Sequence, residues 1–265
     1  MITDKFKRIE YKYGDIIKIK PIFDVHLGAS VCDEQAFKRY LGDSDEKTYF
    51  IGGGDLLDSI ICSDLKRYTK SNDSTSGDDI IDEQLDRMYA LLEPYKEKIL
   101  GLGEGNHESK ITKSHGTNPI KRLAKMLNTP FLSYTWMYRL VLAENKARVR
   151  TVVIRGHHGW GGGARTIGAD LTKFSRDTAY YDADIFLYGH VHKRQYDEVP
   201  RLSLAGGKLI ARPKIIVLCG TFLKTLSPDE NSTYSEIAGY PPISIGGATI
   251  SIRPDSKFVS ISVSV

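Results

Sequence analysis

Acidic, amide and imidazole side chains recur along the first two-thirds of the chain, each time directly after a short apolar run. The first two runs lead into Asp24 and His26 and into Asp55 and Asp58. Three later runs lead into Asn106, His107, His157, His158, His190 and His192. A single Asp or His after a strand is ordinary, but five strand ends of this kind together indicate a metal site, since all these groups are transition-metal ligands.

Short β-branched runs that stop at glycine or a polar residue are typical of buried strands. On this pattern we predict strands at 16–23, 48–51, 99–103, 151–154 and 185–188. Apolar residues at helical spacing predict helices over 79–98 and 119–127. Strands that alternate with helices indicate an α/β fold, in which ligands collect at the carboxyl ends of the strands.

The later part of the chain predicts further strands, at 134–143, 209–219 and 258–265. The last of these alternates apolar residues with serine, as a strand with one buried face does. We therefore expect a four-layer α/β/β/α sandwich of two mixed β-sheets flanked by helices, forming a single domain over 1–265. Segments 69–79 and 225–247 are expected to be mobile loops.

Bulk properties limit the class of protein. A chain with 41% hydrophobic and 26% charged residues is typical of a globular protein, and its net charge of +4 permits an anionic partner without requiring one. No apolar run reaches 18 residues, so we expect no membrane partner, and residues 1–8 do not resemble a signal peptide. Cys32, Cys62 and Cys219 are odd in number and far apart, which favours a reducing compartment and a cytoplasmic location.

Taken together, the polar motifs resemble those of the calcineurin-like metallophosphoesterases. In order they are Asp24-Val25-His26, Gly54-Asp55-Leu56-Leu57-Asp58, Gly105-Asn106-His107-Glu108, His158-Gly159 and Gly189-His190-Val191-His192. The resemblance covers roughly residues 15–195, and a complete set is far more specific than any one motif. The opening motif, which continues into Leu27-Gly28, is similar to that of DNA-repair exonucleases and of compact phage and bacterial phosphoesterases.

The resemblance implies two divalent transition metal ions. It assigns one ion to Asp24, His26 and His192, the other to Asn106, His158 and His190, and makes Asp55 the bridge between them. We expect Mn2+, with Fe, Zn and Ni as alternatives, because mixed imidazole, carboxylate and amide ligands suit these ions. The implied reaction is hydrolysis of a phosphate ester by attack of a metal-bridged hydroxide.

Two assignments at the predicted site have alternatives. The resemblance makes His107 the general acid and Asp58 the carboxylate that orients it, whereas a hydrogen bond from His107 to a metal ligand is the alternative. Successive side chains of a strand point to opposite faces, so only one of His157 and His158 points into the site. We favour His158, because the family's ligand is commonly followed by glycine, and this leaves His157 to meet the substrate.

The sequence excludes few of the candidate substrate classes. Ser59 and Ser109 stand where the Ser/Thr protein phosphatases of this superfamily have arginines that clamp a phosphomonoester, which disfavours a protein phosphatase. We predict a phosphodiesterase or nuclease. The alternatives are a phosphomonoesterase acting on a nucleotide or phosphoprotein, and a binding module without activity.

Basic and aromatic residues near the motifs suit a nucleic-acid substrate. The basic residues are Lys110, Lys113, Lys121, Arg122, Lys125, Arg165, Lys193 and Arg194. They would neutralise phosphates, or they form an ordinary solvated surface. Trp160 is expected either to stack on a base or to cover the site. Tyr234 and Tyr240 would form another wall or an oligomer contact, and the sequence does not predict the oligomeric state.

Overall fold

The structure is a computed structural model that describes residues 5–61, 68, 80–146, 148–226, 234–255 and 259–265. The predicted loop 69–79 lies outside the described residues, as does the middle of the predicted loop 225–247. Cys62 and the first residue of the predicted strand 258–265 also lie outside them.

Strands and helices follow one another along the described chain. The strands are β1 (Lys5–Glu10), β2 (Ile17–Ile22), β3 (Thr48–Gly53), β4 (Ile99–Gly103), β5 (Phe131–Ser133), β6 (Thr135–Ala143), β7 (Val149–His157), β8 (Ile185–Tyr188), β9 (Arg194–Ala205), β10 (Lys208–Thr221), β11 (Gly246–Gly247), β12 (Thr249–Arg253) and β13 (Ser260–Ser264). The helices are α1 (Glu34–Gly42), α2 (Ile80–Leu92), α3 (Asn106–His115), α4 (Pro119–Met126), α5 (Ala169–Ser175) and α6 (Tyr234–Ile237). None of these helices is long and apolar enough to cross a membrane.

The strands form two sheets, and both are mixed. The first has the order β1-β6-β7-β8-β10-β11, with β9 also paired to β10. In it β7, β8 and β10 run parallel, whereas β6 and β9 are antiparallel to their neighbours β7 and β10. The second has the order β13-β12-β2-β3-β4-β5, in which β2 to β5 are parallel and β12 is antiparallel to both of its neighbours, β2 and β13.

Three apolar clusters separate four layers. The central cluster lies between the sheets and includes Ile19, Ile51, Leu140, Leu187 and Val217. A second cluster packs α1, α2 and α4 on the outer face of the second sheet, through Phe37, Phe50, Leu85 and Leu123 among others. A third packs α5 on the outer face of the first sheet, through Phe174, Phe186 and Ile216. This arrangement confirms the predicted α/β/β/α sandwich of two mixed sheets.

One predicted helix differs from the structure. The apolar spacing over 79–98 predicted a single helix, but α2 ends at Leu92 and the chain continues as a 3-10 helix over Glu93–Lys98. Pro94 explains the change, because proline lacks the N–H that an α-helix needs and its ring clashes with the preceding turn. Residue 79 itself lies outside the described residues. Helix 119–127 is found as α4, capped by the Asn118 side chain, which accepts the Lys121 N–H at 2.8 Å.

Candidate metal centre

Polar side chains meet at the carboxyl ends of β2, β3, β4, β7 and β8, on turns with an unusual backbone. The residues with positive φ, between 49 and 69°, are Asp24, His26, Asp55, His190 and His192. Only eight non-glycine residues of the described chain have positive φ, and these five converge on one place. Such backbone strain gathers at functional sites, where the surrounding structure holds it.

The first group of donors contains Asp24, His26 and His192. Asp24 Oδ1 lies 3.9 Å from His26 Nε2 and 3.7 Å from His192 Nε2, and the two nitrogens are 3.2 Å apart. Because bonds from a metal to these atoms are about 2.0–2.2 Å long, two ligands of one ion lie roughly 3–4 Å apart. The three atoms therefore have the spacing of a ligand set.

Asp24 gives a second indication that this group fits a cation. Its Oδ2 accepts the His190 N–H at 2.8 Å. Its Oδ1 is fully buried and has no hydrogen-bond partner among the described residues. A buried carboxylate oxygen without a donor is costly unless an ion or another charge faces it, so a metal ion would supply what this atom lacks.

The second group of donors contains Asn106, His158 and His190. Asn106 Oδ1 lies 2.9 Å from His158 Nε2 and 2.7 Å from His190 Nδ1. Asp55 belongs to both groups, because its Oδ2 lies 3.2 Å from His158 Nε2 and 3.8 Å from His26 Nε2. All seven predicted ligands are thus brought together, in two groups that meet at Asp55.

The electrostatics of the two groups suit a divalent cation. Burial lowers the pKa of His26, His190 and His192, so these imidazoles are neutral, which is the form that binds metal. Burial also acts to lower the pKa of His158, but the Asp55 carboxylate outweighs it and raises this pKa to about 9. A metal ion would take the place of the His158 proton beside that carboxylate.

His107 lies beside the two groups, and one of its ring nitrogens is within ligand spacing of His26 and Asp55. Its Nδ1 hydrogen-bonds the main-chain carbonyl of Asp58, whereas the Asp58 carboxylate is farther away at 3.7 Å. Its Nε2 lies 3.9 Å from Asp55 Oδ2. The structure places Asp58 against His107, but the nearer contact is made by the carbonyl oxygen and not by the carboxylate that the resemblance assigns.

His157 and His158 point to opposite sides of β7, as strand geometry requires. His158 is buried in the site, where its Nδ1 faces the Gly53 carbonyl at 3.1 Å and its Nε2 faces Asp55. His157 packs among the rings of Tyr134 and Trp160, and its Nδ1 accepts the Gly159 N–H at 2.8 Å. Burial lowers the pKa of His157 to about 4, so this ring is neutral.

The other predicted substrate residues lie farther out. Trp160 is 38% exposed and packs edge-on against Phe174, so one side of the indole is available to a ligand. Arg165 is exposed, and its guanidinium donates to the Ala238 carbonyl at 3.5 Å. Among the basic residues, Arg122 pairs with Asp82 on the surface, which is what a solvated helix face predicts.

Glu108 is a residue whose importance the sequence analysis did not predict. It is fully buried, and its carboxylate accepts four main-chain N–H groups, those of Asp55, Leu56, Leu57 and Gly105. The donors favour the ionised form, whereas burial and the nearby Asp55 carboxylate raise the pKa of Glu108 to about 7. The signal was its position three residues after the cap of α3, where Glu commonly reaches back to free N–H groups.

Two glycines allow the Asp55 and Asn106 turns to touch. A side chain at Gly105 would meet Asp55 Oδ1 at 2.1 Å, and one at Gly54, where φ is 108°, would meet the Gly105 main chain at 2.3 Å. Only glycine permits so close an approach of two backbones. The motif glycines thus bring the bridging carboxylate next to the second group of donors.

Comparisons with known proteins give structural neighbours only. No protein-family model matches the sequence, and no curated protein matches it. The chain is similar to the solved structures of Vacuolar Protein Sorting 29 from Cryptosporidium parvum (15% identity, 94% of this chain and 97% of that chain, TM-score 0.38) and of a metallophosphoesterase from Sphaerobacter thermophilus (10% identity, 95% and 89%, TM-score 0.39). It is also similar to a predicted phosphoesterase from Streptococcus pneumoniae (15% identity, 94% and 99%, TM-score 0.31).

The TM-scores of these neighbours lie below 0.5 and their identities do not exceed 15%, so the functional argument rests on the geometry of the site.

Proposed function

We propose that this protein is a metal-dependent phosphodiesterase that acts on a nucleic acid or a related diester. The observation that carries the proposal is the pair of donor groups that meet at Asp55, with the buried Asp24 Oδ1 facing inward without a partner among the described residues. The neutral imidazoles of His26 and His192 face this oxygen at 3.9 and 3.7 Å, and two neutral imidazoles beside a buried carboxylate oxygen suit a metal ion better than a structural ion pair.

Each donor group would hold one divalent ion. Asp24, His26 and His192 would bind the first, Asn106, His158 and His190 the second, and Asp55 would contact both. Mn2+ is the proposed ion, with Fe, Zn and Ni as alternatives, because the donor set mixes imidazole, carboxylate and amide. Bound ions would supply positive charge that lowers the pKa of water and neutralises phosphate oxygens.

His107 is the proposed general acid. Its Nδ1 is engaged by the Asp58 carbonyl, so Nε2 is the nitrogen that can give a proton to the leaving oxygen. Its side chain is 12% exposed, which leaves the ring accessible to a substrate while the Asp58 contact fixes its orientation. This is the arrangement that a positioned acid requires.

Two features support a diester over a monoester. The residue after Asp58 is Ser59, which is buried and has its main-chain N–H bound to Gln84, so that position offers no guanidinium to a dianionic phosphate. The partly exposed Trp160 offers an aromatic surface on which a base can stack.

The test is hydrolysis of bis-p-nitrophenyl phosphate by chelator-stripped protein, before and after addition of Mn2+. We expect activity to return with Mn2+ and to be absent from Asp55→Asn. Asp184→Asn is the matched control, because both carboxylates accept a main-chain N–H: Asp55 from His107 at 2.9 Å, and Asp184 from Val153 at 2.8 Å. Asp184 precedes β8 and so lies at the end of that strand opposite to the site. Faster hydrolysis of p-nitrophenyl phosphate would indicate a monoesterase, and no activity with Mn2+, Ni2+ or Zn2+ would indicate a binding role.

A further inference from the structure

The glycine-rich loop 159–164 lies along the segment 189–193, which carries two proposed ligands. A side chain at Gly159, where φ is 124°, would meet the Gly189 carbonyl and His190 Cβ at 2.7 Å. Farther along, His190 hydrogen-bonds the Gly161 backbone, and Gly163 lies beside the Val191 carbonyl. The loop therefore approaches the ligand segment at Gly159, Gly161 and Gly163.

A buried carboxylate outside the donor groups fixes the far end of this loop. Asp170 on α5 is 1% exposed, and its two oxygens accept the Ala164 N–H at 3.0 and 3.2 Å. Asp170 also pairs with Lys193 Nζ at 2.8 Å and with Lys173 Nζ at 3.0 Å. Lys193 directly follows the proposed ligand His192, so this ion pair joins α5, the loop and the ligand segment.

The two lysines hold the loop through its carbonyl groups. Lys193 donates to the Ala164 carbonyl, and Lys173 donates to the Gly162 carbonyl at 3.2 Å. Ala164 is therefore bound through both its N–H and its C=O to charges that are themselves paired. The four glycines of the loop 159–164 would otherwise leave its main chain free to adopt many conformations.

We infer that Asp170, with Lys173 and Lys193, is a positioning residue that orients the imidazoles of His190 and His192 by fixing the loop 159–164. This inference rests on the proposed function, since it assigns those imidazoles to metal ions. His190 Nδ1 faces Asn106, and the hydrogen bond with Gly161 sets the rotation of the ring. Outer partners of this kind typically change metal affinity by about 10–100-fold when they are lost.

The test is titration of chelator-stripped protein with Mn2+, with free Mn2+ measured by electron paramagnetic resonance. We expect wild type to bind two ions, and Asp170→Asn to bind one of them about 10–100-fold more weakly. Asp184→Asn should titrate like wild type. At saturating Mn2+, Asp170→Asn should recover kcat for bis-p-nitrophenyl phosphate with an unchanged KM, because Asp170 acts through the ligands and not on the substrate.

Hydrogen exchange separates a positioning role from a purely structural one. If the folded Asp170→Asn variant shows faster exchange of the amides of 159–164 but binds Mn2+ as tightly as wild type, the inference is overturned and the proposed function is unaffected. If Asp170→Asn does not fold, the Lys193→Met variant is tested instead, because it keeps the Asp170 carboxylate and removes one bond to Ala164. If Lys193→Met binds Mn2+ as tightly as wild type, the inference is overturned. A wild type that binds no Mn2+ overturns the proposed function, and this inference with it.

Discussion

Replacing Glu108 by Gln tests how the candidate site is held in place. The carboxylate is fully buried, and each of its oxygens accepts two main-chain N–H groups: Leu56 and Leu57 on Oε1, at 2.7 and 3.0 Å, and Asp55 and Gly105 on Oε2, at 3.0 and 2.9 Å. Glutamine has the same shape, but one oxygen becomes an NH2 group that cannot accept. Two of the four N–H groups would then face a donor.

The size of the effect follows from those two lost bonds. A buried donor left without an acceptor costs about 1–3 kcal/mol, so Glu108→Gln should lower the free energy of unfolding by about 2–6 kcal/mol. The whole free energy of unfolding of a domain is about 5–15 kcal/mol, so this loss is a large fraction of the stability. Glu104→Gln is the matched control, because Glu104 accepts one bond, from Asn118 Nδ2 at 2.6 Å, and an amide oxygen can replace it.

Urea-induced unfolding, followed by circular dichroism in the presence of a chelator, measures the difference without any contribution from metal. We expect a clear drop in the midpoint for Glu108→Gln and little change for Glu104→Gln, with unchanged slopes. A midpoint for Glu108→Gln within error of wild type would refute the view that this carboxylate holds the two turns together.

Three further predictions concern individual side chains. His107→Asn should bind Mn2+ like wild type and lose kcat mainly on diesters with poor leaving groups; loss of Mn2+ instead would make His107 a ligand. His158→Asn should weaken Mn2+ binding in the same titration, whereas His157→Asn should not, and equal losses would contradict the opposite orientation of the two side chains. Leu187→Ala, in the core between the sheets, should lower the free energy of unfolding, measured by heat or urea, by about 2–5 kcal/mol. Leu204→Ala, at an 80% exposed site on β9, should change stability by less than about 0.5 kcal/mol, and a large loss there would reveal a contact that covers this strand.

Local sequence patterns were enough to predict several inner strands and the edge strand β13, but not β9 or β12. β3, β4 and β8 are short β-branched or apolar runs that are buried on both faces, and their apolar composition indicates this burial. β9 lacks such a pattern, because Arg194–Ala205 mixes charged residues, tyrosine and proline. It is a strand because the long β10 offers twelve residues of antiparallel pairing, and pairing of this kind is a tertiary effect.

The donors were predictable because each one follows the end of a strand, whereas the contacts that hold them come from elsewhere in the chain. Glu108 reaches 53 residues back to the Asp55 main chain, and Asp170 acts on a loop and on Lys193. Only its capping position at the start of α3 marks Glu108 locally, and no local pattern marks Asp170. Short motifs therefore predict which side chains are metal-ligand candidates. The buried charges that hold those side chains in place depend on the tertiary structure and are not predicted by the motifs.

The positive φ angles explain why the spacing of the donors could not be read from the motifs. In an extended strand, residues i and i+2 stand about 7 Å apart, too far for two ligands of one ion. At Asp24 and His26 the left-handed backbone curls the chain instead, and Oδ1 comes within 3.9 Å of Nε2. That conformation costs about 1–2 kcal/mol per residue. Main-chain bonds hold it: Asp24 N–H donates to Gly54 and His26 N–H to Asp55. The donors are therefore fixed by the protein before any ion binds, and metal affinity is expected to respond to supports that touch no metal.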